Sequence, residues 1–169
     1  MSYVIGIVGE PGSGKTTSLR NLNPKETYII SLRKTRLPWK GSAKDYKSGT
    51  GGNFANNVTS DQIVSLLKAI STKRPEIKTI VIDDAQFIMA NMMMEKAKIT
   101  GYGKFTDIAI AGFNPVDVAG KLRDDLIVVF TYHAEELADG TKKIKTAGKM
   151  VDNVMSLDSV FEILLYTSI

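Results

Sequence analysis

Gly9-Glu-Pro-Gly-Ser-Gly14-Lys15-Thr16 packs three glycines, one lysine and two hydroxyls into eight residues. Glycines accept left-handed backbone and leave main-chain N–H groups bare, so such a loop can wrap an anion. The spacing fits G-x-x-x-x-G-K-[ST], with an apolar run before it and a helical pattern after it. The expected ligand is a polyphosphate. Gly9, Glu10, Pro11, Gly12, Ser13, Gly14, Lys15, Thr16 and Thr17 are the expected contacts. Lys15 is placed to reach β- and γ-phosphates, and the Thr16 hydroxyl to ligate Mg²⁺. No guanine-reading Asn-Lys-x-Asp is present, so ATP and ADP with Mg²⁺ are the default ligands.

A second acid must share the cation. "TIVIDD" supplies Asp83 at the carboxyl end of an apolar run, the edge where ligands gather in open α/β sheets. Asp84 follows with two open readings, activation of the attacking water or an N-cap for the next helix. Glu10 is the competing base. His133, the chain's one histidine, ends the run "LIVVFTY" and could sense the γ-phosphate, with Thr131 as a substitute.

These residues need a scaffold that brings strand ends together. Tyr3–Val8, Thr27–Leu32, Thr79–Ile82, Leu126–His133 and "SVFEILLYT" read as strands. "KTTSLRNL", the stripe Ile63, Leu66, Leu67 and Ile70 behind a Thr59–Gln62 capping box, "AQFIMANMMMEKAK" and "NPVDVAGKLRDD" read as helices. In the last, Asn114 is the expected N-cap and Pro115 the first helical residue. Asp139–Gly140 reads as a hairpin turn. Strands alternating with helices predict one domain over residues 1–169, α/β, with a mostly parallel sheet covered on both faces. The close "FEILLYTSI" is unusually apolar for a terminus, which suggests a chain shortened there or a strand completed by something else.

Bulk properties narrow the class. The chain has 169 residues, 43% hydrophobic and 24% charged, which suits one folded domain. It has no cysteine, excluding disulfides and Cys-ligated metals. No basic, apolar leader and no membrane-length apolar run is seen, so the expectation is a cytoplasmic protein without a membrane partner. Net charge is +4, but Arg33, Lys34, Arg36, Lys40, Lys44 and Lys47 stand against Asp45 alone, a local +5. With Trp39 and Tyr46 among them, the segment could track single-stranded nucleic acid, close over the nucleotide, or form a solvated loop with Trp39 in the core.

With loop, "IVIDD" and "VVFTYHAEE" in view, the chain resembles RecA-like P-loop ATPases, and more closely the phage- and prophage-encoded AAA/RecA-like nucleotide-binding proteins. "LPWKGSAKDY" and "TAGKMVDNVMSLDSVFEILLY" look like segments of that group. The resemblance implies a RecA-like core, ATP hydrolysis and a role in phage single-strand annealing recombination in a bacterial host cytoplasm. Implied partners are single-stranded DNA, a single-strand-binding protein and further copies of the chain. It also implies a cation from a neighbouring subunit, for which Lys149, in "KKIKTAGK", is the first candidate and Lys145 the second. Asp84 stands where a catalytic glutamate is expected, which implies slow hydrolysis. Two other functions compete: a P-loop kinase, disfavoured because "DGTKKIKT" has no lid arginine, and a non-hydrolysing nucleotide-binding module.

Overall fold

The computed structural model describes residues 1–154 and 156–167. Met155, Ser168 and Ile169, which fall in the resembling C-terminal stretch and the apolar close, lie outside the described residues. In chain order the elements are β1 (Tyr3–Gly9), α1 (Lys15–Ser18), β2 (Thr27–Ser31), α2 (Ser42–Asp45), β3 (Phe54–Asn56), α3 (Ser60–Lys73), β4 (Thr79–Asp83) and α4 (Gln86–Glu95). Then follow α5 (Gly103–Gly120), β5 (Ile127–Glu136), β6 (Lys142–Ile144), α6 (Lys149–Asp152) and β7 (Ile163–Tyr166). One sheet runs β3-β2-β4-β5-β1-β7, all parallel, and β6 pairs antiparallel with β5 across the Asp139–Gly140 turn. The expected α/β core, mostly parallel with helices, is the observed one.

The order matters for the site. β5 lies between the strand that feeds the glycine loop and the strand that ends in Asp83. Register sets Gly9 abreast of His133, Ile82 abreast of Phe130 and Ser31 abreast of Asp83. Side chains at the ends of β2, β4 and β5 therefore share one edge with the loop.

The two sheet faces are covered unequally. Val4, Val8, Ile80, Ile82, Val128, Phe130 and Tyr132 point one way, into a core closed by Ile63, Leu67 and Ile70 of α3, Ile88 and Met89 of α4, and Ile108 and Val116 of α5. On the other face Leu19, Leu37, Trp39 and Tyr46 cover Ile29 and Val81, with Phe54 and Val129 partly buried beside them. Tyr3, Ile127, Ile163 and Leu165, over the β1–β7 side, stay exposed. The expectation of helices burying both faces holds on one side; on the other, β2 and β4 are covered by the turn after α1 and by the β2–β3 connection.

Three element boundaries differ from the sequence reading. α1 is a single α-turn continued by a 3₁₀ turn, Leu19–Asn21, so it brings only a short dipole to the loop. The aperiodic stretch after β2 contains α2 and β3, too short to carry a period. α5 begins at Gly103 and passes straight through Pro115, with Asn114 inside it and not capping it. Pro115 has no N–H for the Ala111 carbonyl one turn back. The Ser60 hydroxyl donates to that oxygen instead, at 2.8 Å, and the helix continues. The Thr59–Gln62 capping box forms in both directions as expected.

Candidate nucleotide site

The loop between β1 and α1 is shaped by its glycines. Gly12 and Gly14 have φ of 83° and 85°, left-handed values that a side chain strains to reach. A Cβ at either would meet nothing, so the surface they present to the cleft is bare main chain. Gly9 is needed for another reason. A Cβ there would sit 1.8 Å from Thr167 Oγ1, because the chain leaving β7 crosses directly above it. Thr167 donates its N–H to the Val8 carbonyl at 2.8 Å, and its hydroxyl bonds Ser13 Oγ at 2.9 Å, fastening the loop to the last strand.

Lys15 folds back over this loop. Its Nζ donates to the Gly9 and Glu10 carbonyls, both at 2.8 Å, and to Ser13 Oγ at 3.3 Å. Burial lowers its pKa, while Asp84 and Asp83 act the other way. The ammonium is thus held by neutral oxygens that a phosphate can replace.

Across from the loop, Thr16 Oγ1 lies 3.1 and 3.0 Å from the two oxygens of Asp83. Asp83 is 2% exposed. Burial raises its pKa, against the Thr131 and Thr16 hydroxyls and Lys15, which favour the carboxylate. Hydroxyl and carboxylate oxygens about 3 Å apart have the spacing of neighbouring ligands on an octahedral Mg²⁺, whose bonds are about 2.1 Å. Among the described residues no group of three or more His, Asp or Glu side chains gathers as a metal cage. A site of one hydroxyl and one carboxylate suits a cation that takes its remaining ligands from water and phosphate. The residues present fit Mg²⁺–nucleotide.

Thr131 carries more than the sequence reading gave it. Fully buried, its hydroxyl donates to Asp83 Oδ1 at 2.8 Å and accepts the Asp84 N–H at 2.8 Å. One β5 side chain therefore fixes both aspartates. Asp84 has φ of 59°, a left-handed value uncommon for a non-glycine, of the kind that collects at functional sites. It does not cap α4: Ala85 holds that position and receives no side-chain cap bond. Its carboxylate turns into the cleft. There Oδ1 lies 3.3 Å from His133 Nε2 and accepts from Gln86 Nε2 at 3.4 Å. Gln86 Oε1 accepts the His133 N–H at 3.2 Å, so one buried amide braces both groups.

Burial lowers the His133 pKa, partly offset by Asp84, which favours the neutral imidazole, with Nε2 beside that carboxylate. The Phe87 ring stands edge-on to His133 at 6.3 Å. Arg33, just past β2, lays its guanidinium 5.7 Å from the Phe87 ring centre, with one nitrogen 3.9 Å from Asp84 Oδ2. Pro11, Gly12, Gly14, Lys15, Thr16, Thr17, Arg33, Asp84 and His133 together line an open cleft of about 210 Å³.

Other expected residues sit elsewhere. Glu10 is an exposed side chain paired with Lys142 of β6 at 3.0 Å and does not line the cleft. Only its carbonyl, through Lys15, belongs to the site. Lys34, Arg36, Lys40, Lys44 and Lys47 are exposed along the β2–β3 connection. Trp39 is half-buried, edge-to-face with Tyr46 at 6.0 Å, and Tyr46 is itself buried, so the Tyr46 ring is closed to a stacked base. Lys149 and Lys145 are exposed and line no part of the cleft. Of the Met92–Met94 triplet, Met92 and Met93 pack on the core and Met94 is exposed. Sequence reasoning missed Gln86 and gave Arg33 to nucleic acid. The signal available was position, since both follow strands that end at this edge.

No helix of the described residues is long and apolar enough to cross a membrane. Comparison with curated proteins yields no match. A family model described as an AAA domain matches residues 2–110, from the start of β1 into α5, including the loop, Thr16 and both aspartates. With that match over more than half of its length, on a parallel α/β sheet with this loop, the chain belongs to the AAA-domain family of nucleotide-binding P-loop ATPases.

Proposed function

We propose that the chain binds Mg²⁺–ATP in this cleft and hydrolyses it. The observation that carries the reading is the Thr16–Asp83 pairing beneath the loop, with Asp84 held across the same cleft. Mg²⁺, held by Thr16 and Asp83, would supply charge neutralisation for the β- and γ-phosphates. The bare N–H groups of the loop hold phosphate oxygens, and Lys15 exchanges its carbonyl partners for them. Asp84 orients and accepts a proton from the attacking water, steadied by His133 and Gln86. Aspartate is one methylene shorter than glutamate, so its reach to that water is longer and turnover is slow.

The finer role is DNA metabolism of the phage recombination kind, with single-stranded DNA as partner and several copies acting together. It is supported by the resemblance of "LPWKGSAKDY" and by five exposed cations on the segment after β2 beyond Arg33. Lys149 stays available to a neighbouring copy. The kinase and non-hydrolysing readings make opposite predictions in one assay. Phosphate release is measured with Mg²⁺–ATP, with and without single-stranded DNA. Expected are Mg²⁺-dependent release, stimulation by DNA, and loss of about 100-fold or more in Lys15→Ala, since several charged hydrogen bonds vanish together. Binding without release supports the module, and ADP formation only with a small acceptor supports the kinase. DNA affinity indifferent to salt, or intact after neutralising Lys40, Lys44 and Lys47, removes the DNA role.

A further inference from the structure

Arg33 stands apart from the chain's other arginines. Arg123 donates to the Ile70, Ser71, Arg74 and Ile77 carbonyls and to Asp125, and Arg74 to Glu76 and Gly52, so both are structural. Arg20 and Arg36 are exposed and line no part of the cleft. Arg33 alone of the five lines it, opposite Lys15. Its guanidinium makes no hydrogen bond among the described residues. Its nearest acid, Asp84 Oδ2 at 3.9 Å, is beyond hydrogen-bond range, and its side chain is 52% exposed. An ion pair this open contributes little and is released at small cost. A guanidinium fork matches phosphate oxygens with two parallel N–H bonds, which a single carboxylate oxygen at this distance does not use.

The geometry points to Arg33 as a γ-phosphate sensor supplied in cis. Resting on Phe87 beside Asp84, it moves to the terminal phosphate of a bound triphosphate and leaves Asp84 to His133, Gln86 and water. This rests on the nucleotide reading of the cleft. It gives the chain its own arginine where the resemblance implies a cation from a neighbour. It also ties the phosphate to the basic segment, because only Lys34, Thr35 and Arg36 separate Arg33 from Leu37, which is anchored in the core. Trp39, two residues further on and the one tryptophan, is placed to report that movement.

Binding of Mg²⁺–ATPγS and Mg²⁺–ADP to the whole chain, measured by calorimetry and by Trp39 fluorescence, tests this. In Arg33→Ala the triphosphate analogue is expected to lose about 10- to 100-fold in affinity, the worth of charge-assisted bonds, while ADP changes less than about 3-fold. Arg33→Lys recovers the charge without the fork and restores only part of the loss. The fluorescence change of the wild type is expected with ATPγS, not with ADP, and is absent from Arg33→Ala. An unchanged unfolding temperature confirms that an exposed side chain was removed without harm to the fold. Equal losses for both nucleotides, or none for either, overturn the sensor while leaving the site standing. A wild type that binds neither nucleotide overturns the site and the sensor with it.

Discussion

The two walls of the cleft are built on opposite plans. One is a continuous run, Gly9 to Thr17, whose ligand groups are mostly main-chain N–H, and its geometry is local. The other is drawn from three strand ends, Arg33 after β2, Asp83, Asp84 and Gln86 after β4, and Thr131 and His133 on β5. It works through side chains joined by Thr131 and Gln86. A wall of backbone has little to tune and fails when its path is obstructed. A wall of side chains can lose one member and keep its shape, so its variants separate stability from activity.

The largest effect tests the backbone wall. Gly9→Ala drives a Cβ into Thr167 and Ser13, and overpacking of this kind costs about 1–3 kcal/mol. Thermal unfolding and nucleotide affinity should fall together. Gly9 has an ordinary φ, so Thr167→Gly in the same chain should restore much of both; a double-mutant cycle without coupling would refute the contact.

Asp83→Asn tests the side-chain wall and should give effects of opposite sign. The buried carboxylate is a cost to the folded state, since its raised pKa means that the charged form is disfavoured there. That disadvantage is absent at pH well below the ordinary 3.8, grows as pH rises from there towards the raised folded value, and is complete above it. An amide still accepts from Thr16 and Thr131. The unfolding temperature at pH 7 should hold or rise by a few degrees, equivalent to about 1 kcal/mol, while Mg²⁺-dependent nucleotide affinity falls about 10-fold or more. A loss of stability without loss of affinity would contradict the plan.

The smallest effect concerns His133. Its pKa lies below the usual 6.5, so the neutral ring contributes stability that is complete above that pH and is lost as pH falls through the folded value. Unfolding temperatures at pH 7.5 and 5.5 should therefore drop less in His133→Gln than in the wild type. Parallel slopes would show that the ring titrates without consequence.

The contrast also explains what could be read beforehand. Lys15, Thr16 and Asp83 follow from spacing, because each acts through chemistry its own segment declares. Arg33 was legible as a cation but not as a member of this cleft, since only the β2–β4 pairing brings it to Asp84. Thr131 looked interchangeable with His133; both share one face of β5, and the two-residue step along the strand puts one side chain under both aspartates and the other beside Asp84. Asp84 as a helix cap was a fair local reading, overridden by a left-handed backbone that the Thr131 hydroxyl supports. At Pro115 the local rule failed because the missing partner came from Ser60, 55 positions earlier in the chain.

The clasp between Thr167 and the glycine loop has a consequence for how the molecule is made. The loop is made long before both neighbours of β1, since β5 and β7 follow it far along the chain. Until Thr167 emerges, Val8 and Ser13 lack their partners, and a nascent chain carries the phosphate-binding motif without its finished form. Topologies that wait on such distant pairings assemble slowly. The loop therefore takes its finished form only once the chain has been made through Thr167.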